Sequence, residues 1–293
     1  MNLLGNPTFR LFIGAALISL SAVWVRLVDV SPSASGFYRV LFGGVALSIF
    51  LVATRRQLHL SKRLWLLLVV ASAFLVLDLW FWHRSIVVIG PGLATLLANF
   101  QVFIMMIVGI AFLRQRPTPT QMLAVPLAFV GLSLIVGFDW GALPEDYKHG
   151  VILGFLTALA YACYLLTLRK IRSISTYRVP SREVAVVSMI AAAIMAVIVI
   201  VEEGSIVVPS NEDLGWLVAY GVLSHCLGWL FIVSSLSEVS TVQVGLALLL
   251  QPALSFVWDI LFFDRPMAGI ELAGAAIALT AIYLGSWTAS KQI

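Results

Sequence analysis

The chain has 293 residues, 61% of them hydrophobic and only 11% charged, with a mean hydropathy of +1.03. So little polar surface cannot cover one water-soluble core, which excludes an ordinary soluble domain. The net charge of +4 and pI of about 9.3 do not point to nucleic acid, because the cations sit in short loops between apolar stretches and form no single patch.

A helix needs roughly 20 mostly apolar residues to cross the hydrocarbon of a bilayer. The sequence predicts ten such spans, at residues 9–28, 34–54, 64–88, 91–113 and 120–138, then 150–168, 182–201, 214–235, 239–263 and 267–288. The apolar run 11–28 is too long for a signal-peptide core of about 7 to 15 residues and is read as the first span. The loops between spans carry ordinary turn chemistry, such as Ser31-Pro32-Ser33 and Asn211-Glu212-Asp213. Cys163 and Cys226 lie inside spans and read as small buried hydrophobes, so neither a disulfide nor a metal site is expected. No cofactor motif is present.

With the N-terminus placed in the cytoplasm, most of the 18 cations fall on the inner side, among them Arg55, Lys62, Arg114, Arg169, Lys170 and Arg182. The opposite loops hold Asp139, Glu145, Glu202, Glu203 and Asp213. The positive-inside rule then places both termini in the cytoplasm. Five spans per half is an odd number, so the second half enters from the other side. The expected architecture is all-α and polytopic: two inverted five-helix repeats, residues 1–140 and 141–293.

Sequence correspondences between the halves support the duplication. Gln101 matches Gln251 at an offset of 150, and Gln115-Arg116-Pro117 matches Asp264-Arg265-Pro266 at 149. Gly14 matches Gly154 at 140, which sets Ser21 on Tyr161 and Trp24 on Tyr164. Inverted repeats place a binding site near the bilayer midplane, where the halves meet, with access alternating between the two sides.

At ~1.5 Å per residue, Gln101, Tyr161, His225 and Gln251 fall near the midplane, and Asp78, Trp82 and Asn99 in the outer half. Asp78 and Trp82 share a helix face, as do Thr157, Tyr161 and Tyr164. With Trp229, the candidate substrate-binding residues are Asp78, Trp82, Asn99, Gln101, Tyr161, Tyr164, His225, Trp229 and Gln251. Gln101 and Gln251 are expected to face one cavity. A buried amide can simply bond a neighbouring helix, and His225, between Gly221 and Gly228, can be a packing histidine. Asp78 is costlier to insert, by about 2.5–3.5 kcal/mol. Arg26, Arg39, His83 and Arg84 are read as side chains snorkelling to the interface.

The two five-helix units, Phe37-Tyr38-Arg39 opening the second span, the Arg-Pro ends at Arg116-Pro117 and Arg265-Pro266, and Gly274 resemble the EamA domains of the drug/metabolite transporter superfamily. Within it the length, span count and aromatic content are most similar to bacterial aromatic amino-acid exporters. The resemblance implies a multi-pass protein of the bacterial inner membrane. The lack of an HExxH, GxSxG or comparable motif argues against an enzyme, and the internal repeat makes one chain sufficient.

The residues themselves argue for a neutral or zwitterionic solute. Phosphate esters need fixed cations in low dielectric, and no Lys or Arg falls in the middle third of any predicted span. Amides suit a polar head, and Trp82, Tyr161, Tyr164 and Trp229 suit an apolar body. Aromatic and other large neutral amino acids are the expected substrates, carried by alternating access with Gly90-Pro91-Gly92 as a hinge. A multidrug or quaternary-amine exporter is the alternative, and a channel a more distant one. The expected partners are the small-molecule substrate and the lipid bilayer, not nucleic acid.

Overall fold

Short capping signals decide where the apolar stretches become helices. The computed structural model of the chain describes residues 5–55, 60–89, 91–136, 146–176, 179–206, 210–263 and 268–287, and among these every regular element is helical. Asn6 opens α1 (Pro7–Ser19) by accepting hydrogen bonds from the backbone N–H groups of Thr8 and Phe9. After α2 (Ser21–Leu27), Ser31 caps α3 (Pro32–Ala53), its hydroxyl 3.0 Å from the Ala34 nitrogen. Pro32 stands in the first turn, where its missing N–H has no intrahelical acceptor to lose. The first half continues through α4 (Lys62–Ile89), α5 (Pro91–Ala98), α6 (Gln101–Ala111) and α7 (Pro119–Val136).

The second half opens with α8 (Asp146–Ile174) and α9 (Ser181–Glu203), which Gly204 closes at φ +77°, a left-handed backbone suited to glycine. Then come α10 (Asn211–Ala219), a π-helical segment (Tyr220–Leu227), α11 (Gly228–Ser235), α12 (Thr241–Leu248), α13 (Leu250–Phe263) and α14 (Gly269–Trp287). A capping box between Ser240 and Gln243 starts α12. Gln115 adds an oxygen that accepts from both the Thr241 N–H (3.0 Å) and hydroxyl (2.7 Å). The end of the fourth predicted span is thereby tied to the start of the ninth.

Among the described residues, eight helical stretches are long and apolar enough to cross a membrane: Pro7–Leu27, Pro32–Ala53, Lys62–Ile89, Ala94–Ala111, Tyr147–Ile174, Ser181–Glu203, Asn211–Ser235 and Thr241–Phe263. Two further apolar helices, Pro119–Leu134 and Gly269–Gly285, are shorter. Ten spans were expected, and the fifth and tenth are the two that fall short of the others. Large apolar side chains face outward, with Val52, Phe112 and Val201 exposed at 78%, 77% and 79%. Lipid is the solvent that such a surface suits.

The main helix pairs join one half to the other, and each runs antiparallel. On α3 and α9, Ser33 bonds Glu202, Gly36 lies against Met195 and Gly44 against Ser188. Arg10 pairs with Glu238 at 2.6 Å, Leu17 meets Ser224 and Gly14 meets Gly228 along α1 and α11 with its π-helical approach. On α6 and α12, Val102 touches Gly245 and Gly109 lies by Thr241. On α7 and α14, Ala124 lies by Gly285 and Gly131 by Gly274 and Ala278. A Cβ on Gly131 would stand 2.5 Å from the Ala278 nitrogen and 2.6 Å from the Gly274 oxygen, so only glycine lets these backbones approach.

Several spans are interrupted. The first breaks at Leu20, the fourth at Asn99-Phe100 and the ninth at Leu249. In the ninth the cause is Pro252, whose ring clashes with the carbonyl four residues back and lacks the N–H for that bond. In the fourth the Asn99 side chain bonds back to the Thr95 carbonyl at 2.7 Å, competing with the regular ladder. The Phe100 and Leu249 nitrogens both bond three residues back instead of four. The two breaks correspond at the 150-residue offset. Two hydrophobic clusters flank them: one centred on α3, α4, α8 and α9, the other on α5, α7, α12, α13 and α14.

Candidate functional site

Where the clusters meet, a cavity of about 90 Å³ lies among the interrupted helices. The α1–α2 break contributes Ser19 and Ser21, and the end of α5 contributes Thr95, Ala98 and Asn99. Gln251 and Ser255 come from the first turns of α13. The continuous helices supply the rest: Arg39 from α3, Asp78 and Trp82 from α4, Thr157 and Tyr161 from α8, and Trp229 from α11. Interrupted spans free backbone groups and can shift without unwinding a whole helix, which suits a transport site.

The polar lining is partly tied down and partly open. The Gln251 side-chain nitrogen donates to the Tyr161 hydroxyl at 3.2 Å. The Ser255 hydroxyl lies 2.9 Å from the Gln251 carbonyl and 3.1 Å from that of Ser19, and the Trp258 ring N–H donates to the Ser19 hydroxyl at 2.7 Å. These bonds lash α13 to the end of α1. Arg39 is 6% exposed, and one guanidinium nitrogen donates to the Tyr220 hydroxyl at 3.2 Å. Its Nε and the Trp229 Nε1 are buried without a protein acceptor. Arg39, Trp229 and Asp78 therefore border one small space whose walls are aromatic, and the two unpaired donors belong to its lining residues. Tyr161 meets Trp229 edge-on with ring centres 6.2 Å apart.

Of the residues expected from sequence, the cavity gathers Asp78, Trp82, Asn99, Tyr161, Trp229 and Gln251. Tyr164, one helical turn past Tyr161, rotates off the cavity and packs on Trp229 at 4.8 Å, supporting its ring from behind. His225 is fully buried between helices, with Nε2 2.8 Å from the Ser188 hydroxyl and its ring against Gly43. Its Nδ1 is buried without a partner, and the residue does not border the cavity. Gln101 does not share the cavity with Gln251 as expected. It is 0% exposed, and neither its side-chain oxygen nor its nitrogen has a partner. Of the expected hinge, Gly90 lies outside the described residues, and Pro91 opens α5.

The correction of most consequence is Arg39. Reading it as a snorkelling side chain rested on a helix starting at residue 34, but the Ser31 cap and Pro32 start α3 two residues earlier and move Arg39 toward mid-span. Arg39 is still only the eighth of the 22 residues of α3, at the edge of its middle third, but it borders the cavity, so the lack of mid-span cations does not leave the site without one. Arg84, also read as snorkelling, pairs with Glu202 and stacks on Trp80 at 3.7 Å. Besides Arg39, the sequence reading left Ser19, Ser21, Thr95 and Ser255 out of the site, and it set Thr157 on the face of Tyr161 without assigning it a role. No side-chain pattern marks a short hydroxyl as lining, and only the helix break at Leu20 turns the two serines inward.

Known proteins resemble the chain over most of its length. The sequence pattern of the EamA-like transporter family matches it twice, over residues 8–137 and 148–287. The uncharacterized transporter YxxF of Bacillus subtilis (strain 168) is 24% identical over 228 residues, which cover 76% of this chain and 71% of that protein. A solved crystal structure superposes with a TM-score of 0.82 over 98% of both chains. Its sequence identity is 17%, so that likeness concerns the fold alone.

Proposed function

Because the chain belongs to the EamA-like transporter family, whose members move small molecules across membranes, we propose that it exports zwitterions, chiefly aromatic and other large neutral amino acids. The observation that carries this reading is that Arg39 and Asp78 both line one aromatic-walled cavity. A bound amino acid would set its carboxylate toward Arg39 and the Trp229 N–H, and its ammonium toward Asp78. Its ring would lie against Trp82, Tyr161 and Trp229. Charge-assisted bonds fix the head, and edge or stacked contacts select the body. A phosphate ester would face the Asp78 carboxylate as well as Arg39, so the single cation does not favour it.

In this reading the chain forms ten spans in two inverted repeats, 1–140 and 141–293, with both termini in the cytoplasm of a bacterial cell and one copy sufficient for transport. The antiparallel pairing of corresponding helices supports the inversion, and the Lys and Arg distribution supports the orientation. Transport proceeds by alternating access, with the interrupted first, fourth and ninth spans moving against the continuous ones. Asp78 among aromatic rings also favours a second reading, export of quaternary amines, whose cation gains from ring faces; Arg39 weighs against it.

Proteoliposomes loaded with a panel of amino acids, quaternary amines and sugar phosphates test the proposal. Saturable efflux of phenylalanine, tryptophan and leucine is expected, with the other two classes retained. Efflux of only the amines would transfer the conclusion to the second reading, and efflux of only the phosphates would overturn both.

A further inference from the structure

We propose that Gln101 is a substrate-site residue held in reserve: when the cavity faces the opposite side of the membrane, Gln101 takes the place of Gln251, with Ser21 as its partner in place of Tyr161. The inference rests on the alternating-access reading above and assigns the residues that exchange.

Three observations converge on it. First, Gln101 and Gln251 follow corresponding breaks, since α5 ends at Ala98 and α12 at Leu248, 150 residues apart. Second, the register that sets Ser21 on Tyr161 is visible in packing. Arg10 on α1 pairs with Glu238, and at the matching offsets Gly150 on α8 lies against Val88. Trp229 and Tyr161 border the cavity from one half, while their counterparts Leu79 and Ser21 border it from the other. Third, only one copy of the contact is made. Gln251 bonds Tyr161, whereas the Gln101 amide, 0% exposed, and the buried Ser21 hydroxyl are both left without partners.

A buried amide with no partner is a standing penalty that a competing state can relieve. Exchanging the two contacts satisfies Gln101 and Ser21 while releasing Gln251 and Tyr161. The two states then differ little in energy, as a carrier requires. The path is short in sequence terms, because Ser21 shares the cavity with Ala98 and Asn99, which immediately precede the break before Gln101. Closing that wall onto α2 shuts one side of the cavity and carries Gln101 toward Ser21.

The test uses the full chain in liposomes, with Cys163 and Cys226 replaced by alanine. One variant carries Ser21→Cys with Gln101→Cys, the other Tyr161→Cys with Gln251→Cys. Air oxidation catalysed by copper phenanthroline should join both pairs, each joining should cut the flux of that variant at least tenfold below its own unjoined level, and a thiol reductant should return it to that level. Imposing a phenylalanine gradient in one direction and then the other should raise one yield as it lowers the other. If Tyr161→Cys/Gln251→Cys joins and Ser21→Cys/Gln101→Cys does not, in protein that stays monodisperse, the proposal is overturned. Should phenylalanine prove not to be carried, the two yields without a gradient still decide the exchange, so the substrate reading can fail separately. A single variant, Gln101→Met, gives an independent readout. KM should rise tenfold or more on one membrane face and stay within twofold on the other, whereas a structural role would move both alike.

Discussion

Replacing Arg39 by glutamine removes the one cation that borders the cavity among the described residues and leaves the Asp78 carboxylate there. A hydrogen bond to a charged group contributes about 1.5–3 kcal/mol, so losing one contact to the substrate carboxylate should lower transport efficiency roughly 10- to 150-fold. The loss should depend on the substrate. Phenylalaninamide keeps the ammonium and the ring but has no carboxylate, so its flux through the Arg39→Gln protein should hold or rise. Competitive efflux of phenylalanine and its amide from proteoliposomes measures both at once. Because Arg39 also bonds the Tyr220 hydroxyl at 3.2 Å, Tyr220→Phe serves as the control and should cost only a few-fold. An equal loss for acid and amide would refute the reasoning and reduce Arg39 to a structural residue.

Further predictions follow from the same geometry. Tyr161→Phe removes the hydroxyl that holds Gln251, and at about 0.5–1.5 kcal/mol for such a bond should slow transport several-fold with little change in melting temperature. His225→Leu should do the reverse, lowering thermal stability in detergent while leaving KM within twofold, because His225 bonds Ser188 and not the cavity. Gly131→Val drives a side chain into the α14 backbone and should destabilise by about 1–3 kcal/mol, enough to lose folded protein on size exclusion. By contrast Gly215→Ala, in an open stretch of α10, should stabilise by about 0.5–1 kcal/mol, seen as a higher melting temperature.

Most of the architecture was legible because hydropathy in a bilayer answers to one physical demand, the satisfaction of every backbone group within a helix. Apolar length located eight of the spans, and the Gln101 and Gln251 correspondence paired the two helices that prove to be broken, while the breaks themselves were not foreseen. Side-chain direction was harder. Tyr161 and Tyr164 sit on one broad face, yet the turn between them puts one in the cavity and the other behind Trp229. Gln101 and Gln251 match in sequence and differ in surroundings, since Gln251 bonds Tyr161 whereas Gln101 is enclosed without a partner. Arg39 was legible in principle: Ser31-Pro32 is a cap followed by a first-turn proline, and starting the helix there places the arginine well inside the span.

Counterflow tests the central claim most directly. Liposomes holding the protein and preloaded with unlabelled phenylalanine are diluted into a trace of labelled phenylalanine. A carrier with one zwitterion site that alternates between faces predicts a transient accumulation of label above its outside concentration, abolished in Asp78→Asn/Arg39→Gln protein. Passive equilibration without overshoot, or an overshoot untouched by losing both charges, would contradict the account.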